Sequence, residues 1–453
     1  MLDEDPLQLL GPGANTPAYR VTQRYILAVL YYATAGPRWS FSDDWLTDAH
    51  ECDWYGLSCV EFTIPDDPII DEGDTDGGLV VTLTTEALLV VFLELDRNNL
   101  VGELPSEVGF LQSCTILGLY GNGLSGTLST TLGNLFAIKK FWIDDNEFVG
   151  SLPSELGLMR NVDDLSVYEN QFSGIIPTEF GSLTRLERFW ANDMMLSGTI
   201  PTEFGNLEKL ANLFFDVNEL EGSIPSEMGR LQNLRDLRLF RNKLDGELPP
   251  ELFDLTNLKV AYLDSNQFRG QLPRNIGNLA AIEDLQLFSN RLTGAIPPEI
   301  GEIPNLKILR LEGNDFTGTI PGLLGTNQRL LRITLSSNRL VGTLPDALQQ
   351  SLAIRRIQVD RNSMDGTLPD WLGNLEQLSS LNVAKNRFVG IIPSSIGSLS
   401  KLEDVTLEEN DLSGTVPLPL CSVESLLILS ADCGGVIPEV TCDCCTSCFE
   451  NIA

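Results

Sequence analysis

An asparagine returns every 24 residues along most of the chain: Asn98, Asn122, Asn146 and Asn170, then Asn218, Asn242, Asn266, Asn290, Asn314, Asn338, Asn362, Asn386 and Asn410. Met194 and Gly434 hold the two positions of the series that lack asparagine, so fifteen repeats share one register without insertion or deletion. A glycine follows four residues after each of the first fourteen ladder positions, from Gly102 to Gly414. A proline follows seven residues after them, from Pro105 to Pro417, with Ser129 as the one exception. A fixed period of this length predicts a solenoid, in which each repeat buries its apolar face against its neighbours.

One repeat reads Leu237-Arg-Leu-Phe-Arg-Asn242-Lys-Leu244-Asp-Gly246-Glu-Leu-Pro249. Leu237 and Leu239 alternate with polar or exposed residues, the period-2 signature of a short strand, and Leu244 turns back into the same core. A buried asparagine can satisfy both backbone donors and acceptors where the chain bends after the strand, so stacked copies are expected to bond as a ladder. The glycine permits a bend that other residues resist, and the proline holds an extended φ. Further along, Gly205-Asn-Leu207 and Gly277-Asn-Leu279 send another apolar residue inward on the far side of the coil.

These positions match the leucine-rich repeat pattern L-x-x-L-x-L-x-x-N-x-L. The added L-x-G-x-[IL]-P segment resembles the plant-specific subclass of receptor-kinase ectodomains and polygalacturonase-inhibiting proteins, over roughly three quarters of the chain. The resemblance implies an α/β solenoid: a right-handed coil with a concave parallel sheet, a second short sheet, convex helical turns and a cap at each end. The chain then divides into a tail (1–16), a helical Cys-containing N-terminal cap with an acidic loop (17–90), about fourteen repeats (91–419) and a Cys-rich C-terminal cap (420–453).

In the N-terminal cap, Thr16-Pro17 is a helix start, and Gly36 marks the stop. Val21, Tyr25, Leu27, Val29, Leu30 and Tyr32 are the expected apolar face. Cys52-Asp-Trp54-Tyr-Gly56-Leu-Ser-Cys59 is similar to the cap signature C-x-W-x-G-V-x-C, and Gln23–Ala33 with Trp39 resembles the cap of diatom and algal leucine-rich repeat proteins. Cys421, Cys433, Cys442, Cys444, Cys445 and Cys448 lie at the other end. Cys114 occupies a slot that other repeats fill with Leu or Ile, so it reads as a buried free thiol. The other eight cysteines favour disulfides and an oxidising, extracellular or cell-surface context. Six C-terminal cysteines permit fifteen pairings, and clustered thiols also suit zinc, which leaves metal as the alternative for Cys442-x-Cys444-Cys445-x-x-Cys448. Met1-Leu-Asp-Glu-Asp-Pro is acidic and lacks a signal-peptide h-region. A secreted protein of this kind implies a mature form, a fragment or a truncated gene model, with an anchor or kinase segment outside the chain left open. Ala87–Leu93, the longest apolar run, reads as the lead-in to the first repeat strand rather than a membrane span.

With 30 Lys and Arg against 63 Asp and Glu, the net charge of −33 disfavours nucleic acid and anionic membrane surfaces. Glu72, Asp74, Asp76 and Gly77 imitate the start of an EF-hand loop, but Leu83 stands where a bidentate Glu is required, so a solvated loop is expected and no metal. The one histidine, His50, cannot support a triad or a His-rich metal site, and no phosphate-cradling motif occurs. No enzyme and no cofactor are expected.

Strand alternation places the residues four and two positions before each ladder asparagine on one outward face. Every repeat from the second to the ninth then presents one exposed aromatic: Tyr120, Trp142, Tyr168, Trp190, Phe214, Phe240, Tyr262 and Phe288. Asp144, Asp145, Glu169, Asp193, Asp216 and Asp264 interleave with them, and beyond Phe288 the aromatics stop. Strand propensity does not explain why the distal repeats, which keep the same strand, lack them. A contiguous aromatic stripe marks an interaction surface suited to a basic or neutral ligand. The expectation is therefore a recognition module for a peptide or protein, with a glycan as the alternative ligand; the resemblance adds a co-receptor as a further partner. An inhibitor of a polysaccharide-degrading enzyme and a structural or adhesive wall protein are the competing functions.

Overall fold

A computed structural model of the protein describes residues 18–65, 84–435 and 439–450. Thr16-Pro17, the acidic stretch from Asp66 to Gly77 and Leu83 lie outside the described residues. The chain divides into two compact units, Met1–Ser197 and Gly198–Ala453.

The first unit opens on helix α1 (Ala18–Ala33). Ile26, Leu27, Ala28 and Leu30 form its buried face, whereas Tyr25 and Tyr32 are exposed, contrary to the sequence expectation. Two polar residues replace them inside because tertiary partners satisfy them. Gln23 accepts the Val90 N–H at 2.7 Å and donates to the Leu88 carbonyl at 3.1 Å, and Arg24 donates to the Ala49 carbonyl at 3.1 Å. Gly36 follows an αL residue, Ala35; a Cβ on this glycine would collide with the Tyr31 ring. Strand β1 (Leu57–Pro65) pairs antiparallel with β2 (Thr84–Glu94), whose end begins the parallel main sheet through Phe92 opposite Ile116. The main strands that follow, Ile116–Gly118, Lys140–Trp142, Asp164–Ser166 and Arg188–Trp190, pair in parallel with a strict 24-residue offset.

The second unit repeats this arrangement from Asn212–Phe214 through Asp404–Thr406 and closes with Ile428–Ala431 and Ser447–Cys448. A second set of short parallel strands follows the ladder position in both units, for example Glu147–Gly150 beside Gln171–Ile175 and Arg291–Ala295 beside Asp315–Gly318. Five-residue 3₁₀ turns complete the repeats, starting after the recurrent proline, except after Pro417, where a short α-helix (Leu418–Cys421) takes their place. Where Ser129 replaces that proline, its hydroxyl accepts the Thr131 N–H at 3.3 Å and caps the turn instead.

The core follows the pattern. Leu237, Leu239, Leu244, Leu248, Leu252, Leu255 and Leu258 of a single repeat are all buried, each side chain contributing about 1.5–3 kcal/mol relative to exposure. Gly246 sits at φ 80°, in the left-handed region that glycine tolerates. The asparagine ladder is built through the backbone rather than from side chain to side chain. Asn146 donates to the Leu119 carbonyl of the preceding repeat at 3.0 Å and to Ile143 and Asp144 at 3.1 Å, while its Oδ1 accepts the Leu124 N–H at 2.9 Å. The residue before each asparagine has positive φ even where it is not glycine, as at Asp145 (52°), Glu169 (49°) and the β-branched Val217 (54°).

Cys52–Cys59 closes the N-terminal cap, and Cys421–Cys444, Cys433–Cys448 and Cys442–Cys445 close the C-terminal one. The Cys433, Cys442 and Cys445 sulfurs lie within 4.8 Å of one another, but their disulfides leave no thiolate for a metal. Cys114 is the free cysteine among the described residues; it is buried, and burial pushes its thiol up to about 12. His50 accepts the Cys52 N–H on Nδ1 at 3.2 Å and caps a 3₁₀ turn. No helix among the described residues is long and apolar enough to cross a membrane.

Candidate functional site

In the first unit, the outward face of the main sheet carries an open groove of about 490 Å³. Its walls are Tyr120, Trp142, Tyr168 and Trp190, and its polar lining comprises Asp144, Asp145, Asp164, Ser166, Glu169, Arg97 and Arg188. The four aromatics are half-buried rather than exposed, because each ring leans on a neighbour. Tyr120 meets Trp142 edge-on at 6.5 Å between centroids, and Tyr168 meets Trp190 at 6.3 Å. Both pairs join a residue two positions before one ladder site to a residue four positions before the next.

Cations already stand among these rings, which corrects the expectation of a purely acidic setting. The Arg97 guanidinium lies 5.5 Å from the Tyr120 centroid, and Lys140 Nζ lies 5.0 Å from the Trp142 ring. Arg188 reaches across one strand to Asp164, with Nη2 at 2.8 Å and Nε at 3.0 Å from the same oxygen, Oδ2. Hydrogen bonding to Asp164 raises the Arg188 pKa further. Asp164 Oδ1 is buried and accepts no hydrogen bond among the described residues. Sequence reading missed Lys140, Asp164 and Arg188 because it stopped one step short: they sit six positions before the ladder site, and the same alternation extends to them.

Asp144 is not an exposed acid. It is 6% exposed, and burial pushes its carboxyl up against the pull of the Ser166 and Tyr168 hydroxyls beside it. Glu169 is raised as well, by burial first and then by Asp145, Asp193 and Asp144. Tyr168 is pushed up to about 12 by burial and by the Asp144 carboxylate. Asp145 and Glu169 reach the groove from the positive-φ position before the ladder asparagine.

In the second unit, Phe214, Phe240, Tyr262 and Phe288 are also half-buried. Arg238 lies 4.2 Å from the Phe214 ring and 5.5 Å from Tyr262, while its guanidinium pairs with Asp236 at 2.9 Å. Tyr262 meets Phe240 edge-on at 6.3 Å and donates to Asp284 Oδ2 at 3.0 Å. Arg310 covers Phe288 at 3.9 Å and pairs with Glu312. Asp216 and Asp264 are buried, a second departure from the expected acidic rim. Burial pushes the Asp264 carboxyl up to about 6, against the pull of the Ser265 hydroxyl, which donates to it at 3.1 Å. The second unit pairs several of its sheet-face charges, although Arg332 is opposed by Arg356 and Arg310, while in the first Asp144, Asp145 and Glu169 form no ion pair among the described residues.

A leucine-rich repeat region family model matches residues 215–389. No curated protein matches the chain in a sequence comparison. Among solved structures, the plant peptide hormone receptor RGFR1 in complex with RGF2 matches 75% of this chain at 34% identity and a TM-score of 0.70. A TDR receptor matches 74% at 29% identity and a TM-score of 0.60. This chain spans 58% and 66% of the lengths of those two receptor chains. The leucine-rich repeat ectodomain of the Arabidopsis receptor kinase HAESA, bound to an N-terminally extended IDA peptide hormone, matches 92% of this chain at 25% identity, with 81% of its own length covered and a TM-score of 0.55. The chain is a leucine-rich repeat protein, structurally similar to the ectodomains of plant leucine-rich repeat receptor kinases.

Proposed function

We propose that the chain is a non-catalytic recognition module that holds an extended peptide or protein segment on the outward face of the first unit's main sheet, in an extracellular or cell-surface setting. The aromatic groove of about 490 Å³ carries this reading, since its volume and its mixture of rings with a few charged groups suit ligand capture. The similarity to RGFR1 and HAESA, both solved with peptide hormones, supports the ligand class, and the disulfide-closed caps support the compartment.

The test is affinity capture from the extracellular milieu, comparing the wild-type protein with the Trp142→Ala/Trp190→Ala variant, followed by titration of any captured ligand in purified form. Loss of a discrete peptide or protein ligand with the double variant is expected. Equal recovery of the same partners by both proteins would place recognition elsewhere. Capture of a polysaccharide-degrading enzyme that loses activity when bound would replace this reading with that of an inhibitor.

A further inference from the structure

The groove has a floor that is not repeated elsewhere along its aromatic wall. Trp142, Ser166 and Trp190 occupy equivalent places on three successive paired strands. Strands lie about 4.8 Å apart, so the two tryptophan backbones stand about 10 Å apart with only a serine between them. Both indoles and Ser166 line the groove.

Six charged side chains line the groove, four acids against Arg97 and Arg188, so their charges do not cancel. The one ion pair, Arg188 with Asp164, engages Oδ2 alone, leaving the buried Oδ1 without a donor. The side chain of Asp164 is only 4% exposed, and a buried carboxylate oxygen without a donor marks a place where a hydrogen-bonding partner is missing. Asp144, Asp145 and Glu169 form no ion pair among the described residues, although they lie close enough to repel one another. Aromatic faces beside unneutralised carboxylates attract a cation from both directions.

Resting on the recognition function proposed above, we infer that this part of the groove is a subsite for one basic side chain of the ligand. A guanidinium or ammonium group enters between Trp142 and Trp190 and meets Asp144, Asp145 and Glu169, while the buried Asp164 adds its negative charge to the lining. The adjacent pairs Tyr120–Trp142 and Tyr168–Trp190 supply the apolar walls for its aliphatic stem.

The experiment uses the full chain and three blocked pentapeptides, acetyl-Gly-Ser-Xaa-Ser-Gly-amide, with arginine, citrulline or glutamate at the central position. Calorimetric titration at low salt is expected to show the arginine probe binding at least tenfold more tightly than citrulline, which keeps the shape and loses the charge. Glutamate should not bind. Asp145→Asn/Glu169→Gln should weaken the arginine probe about tenfold, while Glu403→Gln/Glu424→Gln, which removes the same charge from distant exposed sites, should change it less than twofold. Equal affinity of arginine and citrulline, or equal effects of the two charge-removing variants, overturns the subsite. If Trp142→Ala/Trp190→Ala abolishes ligand capture while arginine and citrulline bind alike, the recognition reading stands and the cationic subsite falls. If the arginine probe discriminates but no ligand is captured through the tryptophans, the subsite stands and the wider reading falls.

Discussion

Replacing Asn290 tests the bonding that makes the 24-residue register a fold. Its Nδ2 donates to the carbonyls of Leu263 and Leu287 at 3.1 Å and of Phe288 at 3.3 Å, and its Oδ1 accepts the Phe268 N–H at 3.0 Å. Asn290→Ala does not orphan these groups equally. Leu263 keeps the amide of Asn266 at 3.3 Å, and Leu287 keeps that of Asn314 at 2.9 Å. Phe268, fully buried, has no other acceptor for its N–H among the described residues. One stranded buried donor costs about 1–3 kcal/mol and each weakened carbonyl bond about 0.5–1 kcal/mol, so the expected loss is about 2–4 kcal/mol. Asn290→Asp keeps the acceptor for Phe268 but turns a carboxylate toward three carbonyl oxygens. Its folded-state pKa must therefore rise above the unfolded value, and the folded state binds more protons. Stability of that variant then increases as pH falls through the folded pKa. Urea unfolding followed by far-UV circular dichroism should rank the Asp variant below the Ala variant at pH 7.5, with the gap closing toward pH 4.5. Amide exchange at Phe268 should accelerate in Asn290→Ala alone. A loss below about 0.5 kcal/mol for Ala, or an Asp variant as stable as the wild type at pH 7.5, would refute the role assigned to the ladder.

Burial raises the Asp264 carboxyl to about 6, so between the usual carboxylate range and pH 6 the folded state binds the extra proton, and this group weakens the fold as pH rises through that window. Asp264→Asn should raise stability at pH 7.5 by about 1–2 kcal/mol, a figure discounted for partial solvent screening, and should flatten the acid side of the stability profile in urea titrations. Gly246→Ala forces a Cβ into φ 80° and against the Ser223 side chain at 3.1 Å; a loss of about 1–2 kcal/mol is expected in thermal or urea unfolding. Cys114, buried and pushed up to about 12, should resist a thiol-specific reagent in the native protein and react with one equivalent after unfolding without reductant. Met194→Asn restores an amide where the series lacks one, and the register aims it at the Val167 carbonyl and the Phe172 N–H. A gain of about 1 kcal/mol in unfolding free energy is expected, and a loss would show that the buried Met194 side chain is worth more than the four bonds.

The repeat was legible because its determinants are covalent neighbours. Leucine spacing, the ladder asparagine, the left-handed glycine and the turn-starting proline act within one repeat, and stacking at a fixed offset copies them. What was not legible depends on residues 22 to 24 positions away, and on distant contacts. Tyr120 and Trp142 lose exposure to each other. Asp144 folds under because Ser166 and Tyr168 of the next repeat receive it. On α1, Gln23 and Arg24 displace Tyr25 and Tyr32 from the inner face because hydrogen-bond partners exist at Leu88, Val90 and Ala49, tens of residues ahead. Asp145 and Glu169, which the sequence places among the aromatics, reach the groove from a backbone of positive φ.

The outward positions of such a sheet are the ones that stability does not dictate. Leu165 and Val167 are buried in the core, whereas Asp164, Ser166 and Tyr168 on the same segment line the groove, the first two as buried polar residues. In the second unit Arg238 with Asp236, Arg310 with Glu312 and Arg361 with Asp360 cancel charge between close neighbours. In the first unit the corresponding face retains a stranded carboxylate oxygen, three mutually repelling acids and a serine between two tryptophans. The second unit carries polar strain as well, since Glu312 Oε2 is buried without a donor among the described residues and Arg332 is opposed by Arg356 and Arg310, so what sets the first unit's groove apart is the sign of its charge: acids gathered beside two tryptophans, the arrangement that the cationic probe tests.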